Sequence, residues 1–162
     1  VKNPGPKMSA TDAVTHVSDA SLRKLIGYHM KRAFNVVQVD LVQTLKPFDL
    51  RMLTYTTLVL IKDNPGLRQS QLADAMDIER PNLVKIIDEL EGRSLIIRDR
   101  VPNDRRAYAL KPTPQGEILC NKAIKSVEQH EDQLLAGLDE STRSSLITAL
   151  QLIQKSEPNR TP

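Results

Sequence analysis

Arg80, Asn82 and Lys85 stand close together in the run Glu79-Arg-Pro-Asn-Leu-Val-Lys85. A guanidinium and a carboxamide each present a planar, two-pronged hydrogen-bonding edge, which suits planar partners such as base edges, carboxylates and phosphates. Just upstream, Gln69, Ser70 and Gln71 open what reads as a short helix, a place where polar side chains and free amides can clamp phosphate oxygens. A second set lies far from these. Tyr28 and Arg32 are one helical turn apart and therefore point the same way, offering a phenol donor and a guanidinium fork to a carboxylate or phosphate. Met52 and Tyr55, on a second helix expected to meet the first near Pro47, would supply apolar walls. Elsewhere nothing assembles a reaction: His16, His29 and His130 have no ligand-type spacing, no glycine-rich phosphate loop is present, and Cys120 stands alone. No catalytic residue, metal site or cofactor is expected.

The first set needs elements to hold it. Leu72, Ala73 and Met76 recur at helical spacing, Asp77 tolerates the left-handed backbone that redirects a chain, and Ile78 fills the corner. A longer helix, roughly Arg80 to Arg93, buries Leu83, Ile86, Ile87 and Leu90 and turns Arg80, Asn82, Lys85 and Glu89 outward. Leu83 is assigned twice: to this apolar stripe, and, from its place near the helix start, to the outward set. Pro81 fits the first turn, where amide donors have no helical partner. The runs 95–100 and 107–111 flank Val101-Pro-Asn-Asp-Arg-Arg106, a turn by composition, and so form a β-hairpin. Helix, turn, helix and hairpin in that order make a winged helix-turn-helix over 48–112. The start of its second helix enters the major groove of duplex DNA, where Arg80, Asn82, Leu83 and Lys85 would read bases.

Charge agrees with that reading. Between Arg98 and Lys111 five basic residues (Arg98, Arg100, Arg105, Arg106, Lys111) face two acidic ones (Asp99, Asp104), an excess of +3 equal to that of the whole chain. From Pro112 onward five basic residues meet seven acidic ones, so the positive charge sits beside the second helix, as a phosphate backbone requires.

These residues resemble the MarR family of bacterial transcription regulators. The resemblance rests on Gln69-Ser-Gln-Leu-Ala-Asp-Ala-Met-Asp-Ile78 with the helix that follows, on Asp104-Arg105-Arg106, and on Thr113-Pro-Gln-Gly116. It spans about 20–156 and is strongest over 66–120. It implies that Arg106 enters the minor groove at the wing tip with Asp104 holding the arginines, and that Arg105 is either a phosphate contact or solvated. Two positions depart from the family pattern: Ser94 stands where glycine is common, and Arg68 where Ser or Thr usually caps the helix. The segment Gly27-Tyr-His-Met-Lys-Arg-Ala33 with Lys46-Pro-Phe-Asp-Leu-Arg51 is similar to the subgroup that senses aromatic acids or their coenzyme A thioesters.

With 162 residues, 40% of them hydrophobic, the chain suits one domain, and five aromatic residues leave its core aliphatic. A lone cysteine forms no intrachain disulfide, no charged leader precedes an apolar segment, and the longest apolar run, 58–61, cannot span a bilayer, so a cytoplasmic protein away from membranes is expected. Residues 1–18 read as a flexible arm. Leu22, Ile26, Met30, Ala33, Val37, Leu41 and Leu45 then mark a helix of about seven turns. Asp49 is expected to cap a helix from Leu50 to about Lys62 on which Leu53, Thr57, Leu58 and Ile61 lie together. Thr113 and Pro114 start another helix ending near Gly137, Asp139 caps the last, and 157–162 form a tail. The stripes in 19–47 and 113–156 exceed what the central module can bury, so these regions are expected to intertwine with those of a second copy.

The fold expected is thus mainly α with a small β-hairpin wing, in an intertwined homodimer. Its function would be a ligand-responsive regulator of transcription: a repressor on a pseudo-palindromic operator, released by a small aromatic acid or its coenzyme A thioester. Two alternatives stay open, a winged-helix adaptor that binds protein without DNA, and a regulator that senses oxidants through Cys120.

Overall fold

The structure is a computed structural model that describes residues 17–156 apart from 102–103, with the backbone alone at 101 and 104–107. It is mainly helical with one small sheet, and it divides into two compact units, 17–36 and 37–156 among the described residues, each described separately.

In the first unit the expected single helix is broken. Leu22–Lys24 forms one 3-10 turn, Leu25 is extended (φ −101°, ψ 123°), and only then does α1 (Ile26–Leu45) begin. The turn is closed by the Leu22 and Arg23 amides on the Asp19 carbonyl. Gly27, in the first turn of α1, gives that end of the helix little intrinsic support.

The second unit is built around an aliphatic core. After α1, Lys46–Phe48 makes a 3-10 turn that ends on Asp49 at φ 51°, so Asp49 closes this turn in the left-handed region and does not cap the next helix. That role falls to Arg51, whose amide donates to Thr54 Oγ1 at 2.8 Å at the start of α2 (Met52–Asp63). α2 buries Thr54, Thr57, Leu58 and Ile61, while Leu53 is 46% exposed. The buried threonines donate back to helix carbonyls, Thr54 to Arg51 and Thr57 to Leu53, which satisfies their hydroxyls.

The strand pair has a third member that the sequence did not suggest. β1 (Leu67–Arg68) and β2 (Ile96–Val101) flank β3 (Asp104–Pro112) in an antiparallel sheet of order β1-β3-β2. β3 begins at Asp104, earlier than the hairpin pattern indicates, pairing with Val101 across an irregularity after Arg100. Between β1 and β2 lie α3 (Gln69–Met76) and α4 (Arg80–Gly92), joined through Asp77 in the left-handed region at φ 50°. Ser94, at φ 57°, makes the third such turn, after Asp49 and Asp77, leading from α4 into β2. α5 (Pro114–Leu134) starts on Thr113, whose hydroxyl accepts the Gly116 amide at 2.9 Å, and α6 (Glu140–Gln154) on Asp139, which accepts the Thr142 amide at 2.8 Å. Gly116 is required there: a Cβ would lie 1.9 Å from the Leu95 carbonyl oxygen, which itself accepts the Thr113 amide. The core joins Leu45, Leu58, Ile61, Leu72, Leu83, Ile87, Leu90, Leu95, Ile96, Leu110, Cys120 and Ala123. Among the described residues no helix is long and apolar enough to cross a membrane.

Candidate functional site

Extended Glu79 (φ −66°, ψ 140°) leads into α4, Pro81 stands in its first turn, and the helix start is exposed, with the side chains of Arg80, Asn82 and Lys85. Leu83 is a correction. It is 1% exposed and belongs to the core, because it follows the same helical stripe as Ile86, Ile87 and Leu90 and cannot also face outward. The outward apolar residue is its neighbour Val84, 41% exposed.

A cleft of about 240 Å³ runs between the start of α3, the exposed side of α4 and β3, lined by Arg68, Gln69, Ser70, Arg80, Leu83, Val84 and Tyr108. It brings Gln69 and Ser70 together with Arg80, and Leu83 forms its floor. Gln71 is drawn out of that group: its side-chain oxygen accepts the Arg68 amide at 3.0 Å, capping α3 where Arg68 has no hydroxyl to offer. Sequence reasoning missed Arg68, Val84 and Tyr108. Tyr108 reaches the cleft only because β3 lies between the other two strands, and β1 is a two-residue strand with no periodic signal.

Not all the wing's positive charge faces outward. Arg98 pairs with Asp88 and, at 2.9 Å, with Glu91, both on α4, and Lys111 pairs with Asp99 at 2.8 Å. Two of the five basic residues counted in this stretch therefore hold the wing together. Glu89, expected outward, is partly buried and paired with Arg51 at the start of α2, and Arg93 donates to the Phe48 carbonyl at 3.0 Å and to that of Asp49. These contacts fix α4 from its outer face and from its end. The side chains of Asp104, Arg105 and Arg106 lie outside the described residues; their backbone forms the start of β3.

In the first unit Tyr28 and Arg32 meet as their spacing requires. Arg32 Nη1 donates to the Tyr28 hydroxyl at 3.1 Å and the guanidinium lies 5.5 Å from the ring centre, within cation–π range. The Tyr28 hydroxyl in turn donates to Asp19 Oδ2 at 2.6 Å, and Arg23 Nε donates to Asp19 Oδ1 at 2.6 Å. The Tyr28 bond, then the Arg23 bond, pull the Asp19 carboxyl down to about 2 from an ordinary 3.8. Asp19 and Arg23 were not expected at this place; their four-residue spacing was a visible signal, but the link to Tyr28 crosses the break at Leu25. Met52 and Tyr55 stand on α2 in the second unit, both partly buried; Tyr55 packs against the core, and burial raises its phenol. Cys120 is fully buried on α5, and desolvation pushes its thiol up to about 11.

Comparison with known proteins agrees with this geometry. The MarR family profile matches residues 50–108. A putative transcriptional regulatory protein for the hcr operon of Thauera aromatica is 30% identical over 149 residues, covering 91% of this chain and 90% of that protein. Among solved structures, the transcriptional repressor CouR bound to a 23-mer DNA duplex is 35% identical and superposes with a TM-score of 0.83 over 87% of this chain and 100% of that one. CouR from Rhodococcus jostii bound to p-coumaroyl-CoA is 28% identical, with a TM-score of 0.77 over 87% of this chain and 99% of that one. By its winged helix, by the exposed start of α4 and by these likenesses, the chain belongs to the MarR family of DNA-binding transcriptional regulators.

Proposed function

We propose that this protein is a dimeric repressor, not an enzyme, that acts in the cytoplasm on a pseudo-palindromic operator and is released by a small aromatic acid or its coenzyme A thioester. The observation that carries the reading is the exposed start of α4, where Arg80, Asn82 and Lys85 stand free of the core beside a cleft bordered by Gln69 and Ser70. Asn82 and Arg80 supply paired bonds to base edges, Lys85 reads bases beside them, Gln69 and Ser70 contact phosphates, and the Pro81 turn sets the approach. Asp104, Arg105 and Arg106 serve the wing tip. The DNA and p-coumaroyl-CoA held by the CouR neighbours support both halves of the proposal.

A second copy is needed for a two-fold operator, and the chain leaves apolar surface for it. α6 buries no residue of its own, and Leu146, Ile147, Leu152 and Ile153 are exposed on it, as are Ile26, Val36 and Val39 on α1. Tyr28 and Arg32 would take the anionic end of the effector; in the second unit, taken by itself, Met52 and Tyr55 are proposed as ligand-contacting residues. Because an effector shifts a two-state equilibrium only through differential affinity, it must favour the spacing of reading heads that does not fit the operator. The full burial of Cys120 supports a packing role for it over oxidant sensing.

The test is a titration of protein with selected duplexes, then of the complex with aromatic acids and thioesters, alongside sedimentation. A dimer released by one of these compounds supports the reading; a monomer, or a complex that none of them dissociates, contradicts it.

A further inference from the structure

Tyr28 and Arg23 already hold a carboxylate, and it belongs to the chain itself. The Asp19 carboxyl receives the Tyr28 hydroxyl on one oxygen and Arg23 Nε on the other, both at 2.6 Å, while Arg32 donates to the same hydroxyl at 3.1 Å. One guanidinium and a phenol on the carboxylate, with a second guanidinium on the phenol oxygen, form a donor set suited to an oxyanion. Among the described residues Arg32 has no carboxylate partner of its own, so the cluster carries one negative charge against two positive ones.

We propose that Asp19 is an internal competitor for the effector: it holds the Tyr28 hydroxyl, beside Arg32, that the effector's carboxylate or phosphate takes, and it must leave together with Arg23 for the effector to bind. This rests on the assignment of Tyr28 and Arg32 to the effector made above. The local backbone suits an exchange. Asp19 sits before the 3-10 turn Leu22–Lys24, and that turn is separated from α1 by the extended residue Leu25, so it can swing away without unwinding the helix that carries Tyr28 and Arg32. The turn's own hydrogen bonds, from the Leu22 and Arg23 amides to the Asp19 carbonyl, would travel with it. Besides Asp19, the side-chain tie from α1 back to this turn is His29 Nε2 with the Arg23 carbonyl at 2.9 Å. The depressed Asp19 carboxyl agrees with an anion held by the Tyr28 and Arg23 donors, the state an incoming oxyanion would reproduce.

The sign of one substitution separates competition from a merely structural contact. Asp19→Asn keeps the shape and the backbone turn but removes the charge. A competitor's loss tightens effector binding, by about three- to tenfold for a surface-accessible charged pair; loss of a structural contact leaves binding unchanged or weaker. The experiment is calorimetric titration of the full chain, without DNA, with p-coumaroyl-CoA, p-coumarate and free coenzyme A, comparing the parent with Asp19→Asn, Tyr28→Phe and Arg32→Ala. Tighter binding by Asp19→Asn together with weaker binding by Tyr28→Phe supports the inference. A gain with p-coumarate identifies the displaced seat as a carboxylate site, and a gain with free coenzyme A as a phosphate site. Weaker binding by Tyr28→Phe and Arg32→Ala with no gain in Asp19→Asn overturns the competitor and leaves the effector assignment standing. Unaltered binding in all three variants, or binding of none of the probes to any chain, overturns both.

Discussion

The Arg98 guanidinium on β2 donates from Nη1 to the Glu91 carboxylate on α4 at 2.9 Å and reaches Asp88, one turn earlier, through Nη2. A wing arginine that would pass for a DNA contact is instead bound to the reading helix. Arg98→Ala should therefore act on stability, costing about 1–2 kcal/mol in urea unfolding. It should leave the salt dependence of DNA binding as in the parent. A slope reduced by about one phosphate contact would place Arg98 on the DNA.

Gly116 is fixed by the approach of the Leu95 carbonyl, 1.9 Å from any added Cβ. Since the obstacle is backbone, Gly116→Ala must push α5 away from the α4–β2 junction, and a loss of about 2–4 kcal/mol is expected, at the upper end for overpacking. Thermal and urea unfolding measure it. An alanine variant as stable as the parent would show that this junction yields easily.

Much of the reading module could be traced from the chain alone because its signals are local. The stripe Leu83, Ile86, Ile87, Leu90, the left-handed residue Asp77, and the Thr113 and Asp139 caps each involve residues a few positions apart, and the structure has them so. Ser94 takes the left-handed backbone in spite of its Cβ, so the turn, not the residue type, is what persists there. Contacts between distant segments were hidden. β1 is too short for a period, Arg98 finds its acids across the α4–β2 turn, and the Asp19–Tyr28 bond spans a break at Leu25 that the unbroken apolar spacing conceals. Leu83 failed for another reason: position near a helix start and position on a stripe gave opposite answers, and burial decided.

Acid should reveal the Asp19 cluster. Its carboxyl titrates at about 2 in the folded chain against an ordinary 3.8, so the contribution to the N-terminal turn is complete above 3.8 and is lost as pH falls toward 2. Carbon-detected NMR titration of the carboxyl should give a midpoint near the lower value. An ordinary midpoint would mean that Tyr28 and Arg23 do not hold it.

Cys120 should be chemically silent while the chain is folded. With the thiol buried and raised to about 11, little thiolate exists at neutral pH, so an aromatic disulfide reagent should label it only as fast as the protein opens. Peroxide should leave DNA binding unchanged, and Cys120→Ser should cost stability by placing a hydroxyl among apolar neighbours. Rapid labelling of the native protein, or release of DNA by peroxide, would contradict this.

The central claim is that the exposed start of α4 reads DNA sequence. The direct measurement is equilibrium binding, by fluorescence anisotropy at physiological salt, of the parent and Asn82→Ala to a duplex selected from a random pool and to its scrambled counterpart. The parent should prefer the selected duplex by about a thousandfold or more. Asn82→Ala should lose about 1–3 kcal/mol on the selected duplex and little on the scrambled one. Equal affinity of the parent for both duplexes, or equal losses on both in the variant, would contradict the claim.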